Sequence, residues 1–200
     1  MATNNIDLNR TLIRRIDMNQ ATLGLHEYFV NDQKKHIHRE IYGDDGWKTI
    51  KRKLNMLKVE DHLNHNRLVG VFQEVSYYFL IDIDGHFEAA LATIKDRVDR
   101  IISIFPKAPL KIQSSGSKGI HLYYFLDAPY DVDVIQKAVE FQLNKNGIYV
   151  KDGDIEIFPK MNKGHRLPFG LDSYIVDDDL NPIIMNYEEA INIFLEYARM

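Results

Sequence analysis

The chain has 200 residues, of which 45% are hydrophobic and 27% are charged, with a formal net charge of −4 and no cysteine. This length and apolar content predict one domain, or two small lobes, with a substantial core. Because the chain has no cysteine, disulfides and thiolate zinc sites are excluded. The sequence has no long apolar run, so we predict no membrane span and no secretory leader. We therefore expect a cytoplasmic protein without a membrane partner, in which any nucleic-acid-binding surface is local.

Hydrophobic periodicity predicts a helical N-terminal part, residues 1–66, and a core of strands and helices, residues 67–200, within one domain overall. The predicted helices lie at residues 8–29, 47–57, 87–105, 132–143 and 187–199, and Asp61 is predicted to cap a short one. The predicted strands lie at residues 68–72, 77–83, 110–114, 120–126, 155–158 and 166–167. From residue 77 to residue 158 the order is strand, helix, strand, strand, helix, strand, as in a ferredoxin-like or RNA-recognition-like unit. We predict an α+β fold whose antiparallel sheet has helices behind it and an open face.

The first candidate site lies on the strand-like run YYFLIDID, which ends with Asp82 and Asp84. Successive side chains of a strand point to opposite faces, so these acids share one face while Ile81 and Ile83 share the other. Two carboxylates at this spacing repel each other by about 2.5 kcal/mol at an effective dielectric constant of about 20, and a cation relieves that cost. Hard oxygen ligands suit Mg²⁺ or Mn²⁺. Taken alone, acids that cap the following helix are an equally good reading.

A glycine- and serine-rich turn follows at residues 114–119, with the sequence SSGSKG. Its backbone N–H groups are suited to cradle phosphate oxygens, with a lysine as a point charge. The predicted phosphate-binding residues of this turn are Ser115, Ser117, Lys118 and Gly119. His121 opens the next strand and is predicted to donate a hydrogen bond to a phosphate oxygen. An ordinary hairpin turn is the alternative for this segment.

A second pair of alternating acids, Asp154 and Glu156, precedes a basic segment. One of the two acids should supply a third metal ligand, and Glu156 lies between isoleucines, where an unpaired carboxylate would be costly to bury. The basic residues that follow within a short loop and strand are Lys160, Lys163, His165 and Arg166. We predict that these cations face the bound anion, with Arg166 suited to bidentate phosphate contact.

Two further basic patches lie upstream of the first acidic strand. They comprise Lys34, Lys35, His36, His38 and Arg39, and Lys48, Lys51, Arg52 and Lys53. Charge runs of this kind are commonly solvated helix faces, but beside a nucleotide site they are predicted to contact a template. The histidines of HIHRE have no acidic or thiol partner in range and are not predicted to bind metal.

The ordered motifs resemble the archaeo-eukaryotic primase superfamily, which includes primase-polymerases and ligase polymerase domains. The resemblance covers roughly residues 61–170 and is carried by the LIDID run, by SGSKGIH at residues 115–121, and by IEIFPK with the later HRLP. It is strongest for primase-polymerases of mobile elements and prokaryotic defence systems. The fold that it implies is a primase core built around an RNA-recognition-like sheet.

The same resemblance implies two Mg²⁺ or Mn²⁺ ions held by Asp82, Asp84 and Glu156, and a nucleoside triphosphate, dNTP or NTP, held by Lys118, His121 and Arg166. Because the family often has aspartate at the third acidic position, Asp154 remains an alternative to Glu156. The implied activity is that of a DNA primase-polymerase, which adds nucleotides along a single-stranded DNA template to a primer strand and is expected to initiate primers. Further domains or protein partners are compatible with this activity. A non-catalytic nucleic-acid-binding module and a metal-dependent nuclease are the rival functions.

Overall fold

The computed structural model describes residues 20–30, 34–42, 46–84, 91–114 and 119–200, which form helices and antiparallel sheets. The strands are β1 (His36–Glu40), β2 (Lys48–Ile50), β3 (Arg67–Val71), β4 (Val75–Ile83), β5 (Leu110–Gln113), β6 (Ile120–Asp131), β7 (Ile155–Phe158) and β8 (His165–Arg166). The helices are α1, described over residues 20–29, α2 (Met56–Leu63), α3 (Leu91–Ile102), α4 (Val132–Lys145) and α5 (Tyr187–Tyr197). In these ranges no helix combines the length and the apolar content of a membrane span.

The larger sheet has the strand order β5-β6-β4-β7, and every neighbouring pair is antiparallel. Along the chain its elements run β4, α3, β5, β6, α4, β7. This is the predicted RNA-recognition-like unit, in which the first and third strands lie at the centre of the sheet. The predicted α+β fold is therefore confirmed. The later elements agree with their predicted positions, apart from ends that shift by a few residues.

The smaller sheet has the order β2-β1-β3-β8 and joins both parts of the chain. The predicted helix at residues 47–57 is wrong, because β2 pairs with β1 through His36–Ile50 and Ile37–Thr49 instead. Tertiary pairing overrides a weak helical pattern in so short a segment. The predicted boundary between residues 66 and 67 stays a prediction, although β3 on one side of it pairs with β1 on the other.

Helix ends also differ from the sequence prediction in the N-terminal part. Asn55, not Asp61, caps a helix here, because its side chain accepts a hydrogen bond from the backbone N–H of Lys58 at 3.1 Å. Asp61 lies inside α2 and pairs with Lys58 at 3.0 Å. The last helix, α5, begins with a capping box between Asn186 and Glu189. Of the predicted helix at residues 8–29, the part before residue 20 lies outside the described residues, as do residues 87–90 of the predicted third helix.

Two apolar cores cover the two faces of the larger sheet, so the prediction of an open face is wrong, because α1, α5 and the smaller sheet pack on that face. On one face Phe79, Ile81 and Ile83 pack in a cluster with residues of α3 and α4, and Ile81 and Ile83 are completely buried. On the other face Tyr78 and Leu80 pack in a second cluster with residues of α1, α5 and the smaller sheet. Burial of one large apolar side chain contributes about 1.5–3 kcal/mol, so both faces stabilise β4. The two sheets face each other across this second core.

Gly70 is required where β3 meets β8. It pairs with Arg166, and a Cβ at this position would lie 2.3 Å from the carbonyl oxygen of His165. Real side-chain atoms do not approach this closely, so only glycine lets β8 reach its observed position. The close approach of the two strands places His165 and Arg166 opposite the larger sheet.

Candidate active site

One row of side chains crosses three strands of the larger sheet. Asp82 on β4 pairs with His121 on β6 and with Glu156 on β7. Directly opposed residues of antiparallel strands have Cβ atoms about 4.5–5.5 Å apart and point to the same face. The row therefore brings together one residue from each of the three predicted motifs. The alternation in the sequence predicted which side chains of one strand point to the same face. The strand order of the fold then places those faces of β4, β6 and β7 side by side.

The row lies in a cleft of about 500 Å³ between the two sheets. Its lining includes Ile37 and Thr49 from the smaller sheet and Trp47 from the residue before β2. From or near the motifs it includes Asp82, Asp84, Ser114, His121, Glu156, Lys163, His165 and Arg166. Anionic groups of the larger sheet thus face cationic groups of β8 and of the loop before it. This charge arrangement suits a ligand that carries both a metal ion and phosphate groups.

Asp82 has a buried carboxylate oxygen available to a cation. Burial alone would raise the pKa of Asp82, but the nearby charges of His121, Arg166 and Lys163 together hold it below its usual value. Its Oδ1 lies 3.3 Å from Nε2 of His121 and has no hydrogen bond of good geometry among the described residues. A buried, ionised and unsatisfied oxygen is costly, so this position fits a metal ligand.

Asp84 follows the end of β4 and also lines the cleft. Its backbone N–H donates to the carbonyl oxygen of Asp154 at 2.8 Å, which ties the end of β4 to the start of β7. As predicted from the alternation, Asp82 and Asp84 reach the same cleft.

Glu156 is buried, with 7% of its surface exposed, and carries two ion pairs. Its Oε1 accepts hydrogen bonds from Nζ of Lys160 at 2.8 Å and from Nζ of Lys163 at 2.6 Å. Asp154, the alternative third acid, instead bonds Nη1 of Arg97 at 2.7 Å and is absent from the lining of the cleft. The structure therefore places Glu156, and not Asp154, beside Asp82.

The donor set fits a divalent cation, although the acids do not converge on one point. In the described ranges no group of three His, Asp or Glu side chains is close enough to hold a metal ion as it stands. The fit rests on the unsatisfied Oδ1 of Asp82, with Asp84 and Glu156 as further hard oxygen donors in the same cleft. A bound ion would have to compete with the two lysines at Glu156.

His165 and Arg166 form the opposite wall of the cleft. His165 is buried and hydrogen-bonds the hydroxyl of Tyr78 through Nε2, while its buried Nδ1 has no partner among the described residues. Burial lowers the pKa of His165 to about 3, so the ring is neutral at neutral pH. Burial also lowers the pKa of Arg166, but a guanidinium remains charged.

The predicted phosphate-binding turn is described in part. Ser115, Ser117 and Lys118 lie outside the described residues. The flanking residues join β5 to β6, because the backbone N–H of Ser114 donates to the carbonyl oxygen of Gly119 at 2.9 Å. Ser114 lines the cleft, so the turn begins at the cleft wall next to His121.

The two predicted basic patches lie on and next to a pair of neighbouring strands. Arg39 lies on β1 and Lys48 on β2, and the other Lys and Arg residues flank these antiparallel strands, whose Ile37 and Thr49 line the cleft. The exposed members are Lys34, Arg39, Lys48, Lys51, Arg52 and Lys53. His36 has a structural role, because its Nδ1 bonds the carbonyl oxygen of Arg52 at 2.8 Å.

The sequence did not predict the position of Trp47 in this cleft or the contact of Lys163 with Glu156. Trp47, the one tryptophan of the chain, is 43% exposed at the mouth of the cleft, one residue before β2. Its alternation with Thr49, which also lines the cleft, is the sequence signal that could have placed it on this face. Lys163 was predicted to face the bound anion with the other cations, and the loop conformation brings its ammonium group to Glu156.

No family model and no curated protein matches this chain. The solved structures that are similar to it include two polymerase domains. The polymerase domain of Ligase D from Mycobacterium tuberculosis, solved in complex with DNA, is 12% identical, with 91% of this chain and 88% of that chain covered and a TM-score of 0.48. The AEP domain of the cyanophage S-2L primase-polymerase is 12% identical, with 90% and 97% covered and a TM-score of 0.49. At 12% identity both likenesses concern the fold alone.

Proposed function

We propose that this protein is a nucleotidyltransferase that adds nucleotides to a primer strand along a single-stranded DNA template and that also initiates primers. The observation that carries the proposal is the row formed by His121, Asp82 and Glu156, which faces Arg166 across one cleft. Acids on one wall and cations on the other match a triphosphate delivered with divalent ions.

Two Mg²⁺ or Mn²⁺ ions would be held by Asp82, Asp84 and Glu156. Bound there, they would lower the cost of the negative charge that develops on the attacking and leaving oxygens during phosphoryl transfer. The unsatisfied oxygen of Asp82 supports this assignment. The two lysines at Glu156 already show that this carboxylate attracts positive charge.

The side chains of this chain bind and orient the triphosphate. Arg166 has the planar geometry for bidentate contact with phosphate, and Lys163 supplies a further charge from the neighbouring loop. His121 lies between Asp82 and the turn that begins at Ser114, where its ring can donate a hydrogen bond to a phosphate oxygen. His165, Gly119, Ser115, Ser117 and Lys118 complete the proposed nucleotide-binding set. Lys160, which the sequence also assigned to this set, lies between Asp152 and Glu156 and does not line the cleft. No side chain needs to act as a covalent nucleophile.

The template is proposed to lie along the basic β1–β2 hairpin. This hairpin exposes six Lys or Arg side chains in a chain whose net charge is −4, and phosphate contacts of this kind give sequence-independent affinity. Trp47 at the mouth of the cleft offers a flat apolar surface on which a template base can stack. The hairpin thus leads a single strand toward the row of acids.

The two rival functions explain less of the cleft. A binding module with an RNA-recognition-like sheet uses aromatic and basic residues on its open face, whereas this face carries Asp82 and Glu156. A metal-dependent nuclease accounts for the acids, but it does not require the additional cationic wall of Lys163 and Arg166 beside the scissile position.

The test incubates the protein with a single-stranded template, Mg²⁺ or Mn²⁺, and labelled dNTP or NTP, with and without a primer. We expect extended products, and products without primer where initiation occurs. Asp82→Asn should reduce synthesis at least about 100-fold, because one metal ligand and one charge are lost. The matched control is Asp127→Asn, an exposed acid on β6 outside the cleft, which should behave as the wild type. Degradation of the template would favour the nuclease, and binding without either reaction would favour the binding module.

A further inference from the structure

Lys160 and Lys163 share the carboxylate of Glu156 but differ in their surroundings. Lys160 also bonds Oδ1 of Asp152 at 3.0 Å, and its side chain is 20% exposed. Lys163 lies 4.0 Å from the same oxygen of Asp152, and its side chain is 48% exposed. Lys160 is therefore held between two acids, whereas Lys163 has one close anionic partner and more freedom to turn.

Position in the cleft separates the two lysines further. Lys163 lines the cleft together with Asn162, Gly164 and Arg166, and Lys160 does not. The backbone N–H of Lys163 donates to the carbonyl oxygen of Lys160 at 3.3 Å, so both belong to one tight turn after β7. A rotation of the Lys163 side chain within the cleft would move its ammonium group from Glu156 toward the wall that carries Arg166.

A divalent ion and the Lys163 ammonium group compete for Glu156. Oε1 of Glu156 already accepts from the ammonium groups of Lys160 and Lys163, so a divalent ion at this carboxylate would be a third cation. Repulsion among the three would favour release of Lys163, which has one close anionic partner. The ammonium group that is displaced still needs an anion, since a desolvated and unpaired charge is costly. A triphosphate in the same cleft supplies that anion.

We propose that Lys163 is an exchangeable counter-cation, which neutralises Glu156 in the ligand-free protein and moves to the triphosphate when a divalent ion takes its place. The inference depends on the proposed function for the identity of the triphosphate. The competition between Lys163 and a divalent ion at Glu156 does not depend on it. Lys160 stays with Asp152 throughout, so the two lysines have different roles despite their shared partner.

The experiment measures Mn²⁺ binding by calorimetry and by electron paramagnetic resonance, without nucleotide, for the wild type and for Lys163→Met. We expect the variant to bind Mn²⁺ about 3- to 10-fold more tightly, because a competing cation is removed. In a Glu156→Gln background, Lys163→Met should leave Mn²⁺ affinity unchanged. Lys137→Met, on the exposed surface of α4, is the matched control and should bind as the wild type does.

The second arm measures binding of a dNTP with Mn²⁺ present, followed by the fluorescence of Trp47. Lys163→Met should weaken dNTP binding about 10-fold although it binds the metal more tightly, and this opposite pair of effects is the signature of exchange. Unchanged or weaker Mn²⁺ binding by Lys163→Met overturns the inference, as does unchanged dNTP binding.

The two failures can be told apart. If the wild type adds no nucleotide and binds no dNTP, the proposed function fails, and tighter Mn²⁺ binding by Lys163→Met would still establish the competition at Glu156. If synthesis proceeds but Lys163→Met leaves Mn²⁺ affinity unchanged, the exchange fails and the proposed function stands. Circular dichroism of each variant shows whether the fold is retained.

Discussion

The hydroxyl of Tyr78 on β4 is hydrogen-bonded to Nε2 of His165 on β8, and this buried bond joins the two sheets beneath the cleft. With the hydroxyl as donor, the ring hydrogen of His165 lies on Nδ1. The aromatic ring of Tyr78 also packs against Tyr28, Phe29 and Tyr123 in the core between the sheets. Tyr78 of β4, the strand that carries Asp82, therefore helps to fix the position of β8 and of Arg166 on it.

Removal of the Tyr78 hydroxyl is expected to destabilise the protein. Tyr78→Phe leaves Nε2 of buried His165 without its partner, which should lower the free energy of unfolding by about 1–3 kcal/mol. Urea denaturation measures this change. The matched control is Tyr124→Phe on the opposite face of the sheet, because the Tyr124 hydroxyl is buried without a partner among the described residues. Equal losses in the two variants would show that the bond contributes nothing.

Acid is expected to destabilise the protein through two buried histidines. Burial lowers the pKa values of His62 and His165 from 6.5 to about 3. Nε2 of His62 bonds the carbonyl oxygens of Leu167 and Pro168, and its Nδ1 accepts from the N–H of Val69, so the neutral ring ties α2 to β3 and to the segment after β8.

Below pH 6.5 the unfolded chain takes up a proton at each of these histidines, whereas the folded chain does so only near pH 3. The free energy of unfolding should therefore fall as the pH falls from 6.5 toward 3, by about 1.4 kcal/mol per pH unit for each histidine. Urea denaturation at a series of pH values between about pH 7 and pH 5 measures the slope. A free energy of unfolding that stays constant over this window would contradict the prediction.

Gly70 is expected to tolerate no side chain. In Gly70→Ala the new methyl group would lie 2.3 Å from the carbonyl oxygen of His165, so β3 and β8 would have to separate. We expect a loss of about 1–3 kcal/mol in the free energy of unfolding and weaker nucleotide binding, since Arg166 moves with β8. The control is Gly46→Ala, where a Cβ meets no atom within 4 Å and the change should stay within about 0.5 kcal/mol.

The two candidate third acids can be separated by substitution. Glu156→Gln should weaken Mn²⁺ binding at least about 10-fold, because it removes an anionic oxygen from the cleft. Asp154→Asn should leave Mn²⁺ affinity within about twofold, since this side chain bonds Arg97 away from the cleft. Calorimetric titration of both variants gives the comparison. The reverse order of effects would make Asp154 the ligand.

Sequence alone determined the strands that carry the acids and the order of the larger sheet's elements. Asp82 alternates with Ile81 and Ile83, and Glu156 alternates with Ile155 and Ile157. Both alternations are local properties of the sequence, because they follow from the two-residue period of a strand. The same period places His121 on one face of β6. Apolar side chains on the other face pack on α3 and α4, which leaves the polar side chains to face the cleft.

Tertiary structure decided the relationships that join distant parts of the chain. The pairing of β1 with β2, which replaced a predicted helix, depends on a partner strand that local propensity does not contain. Arg97 of α3 holds the side chain of Asp154 away from the cleft that Glu156 lines, and the turn after β7 brings Lys163 to Glu156. These three contacts depend on how separate elements pack together. The residue pattern along one strand does not contain that information, because it does not specify which element packs against the strand.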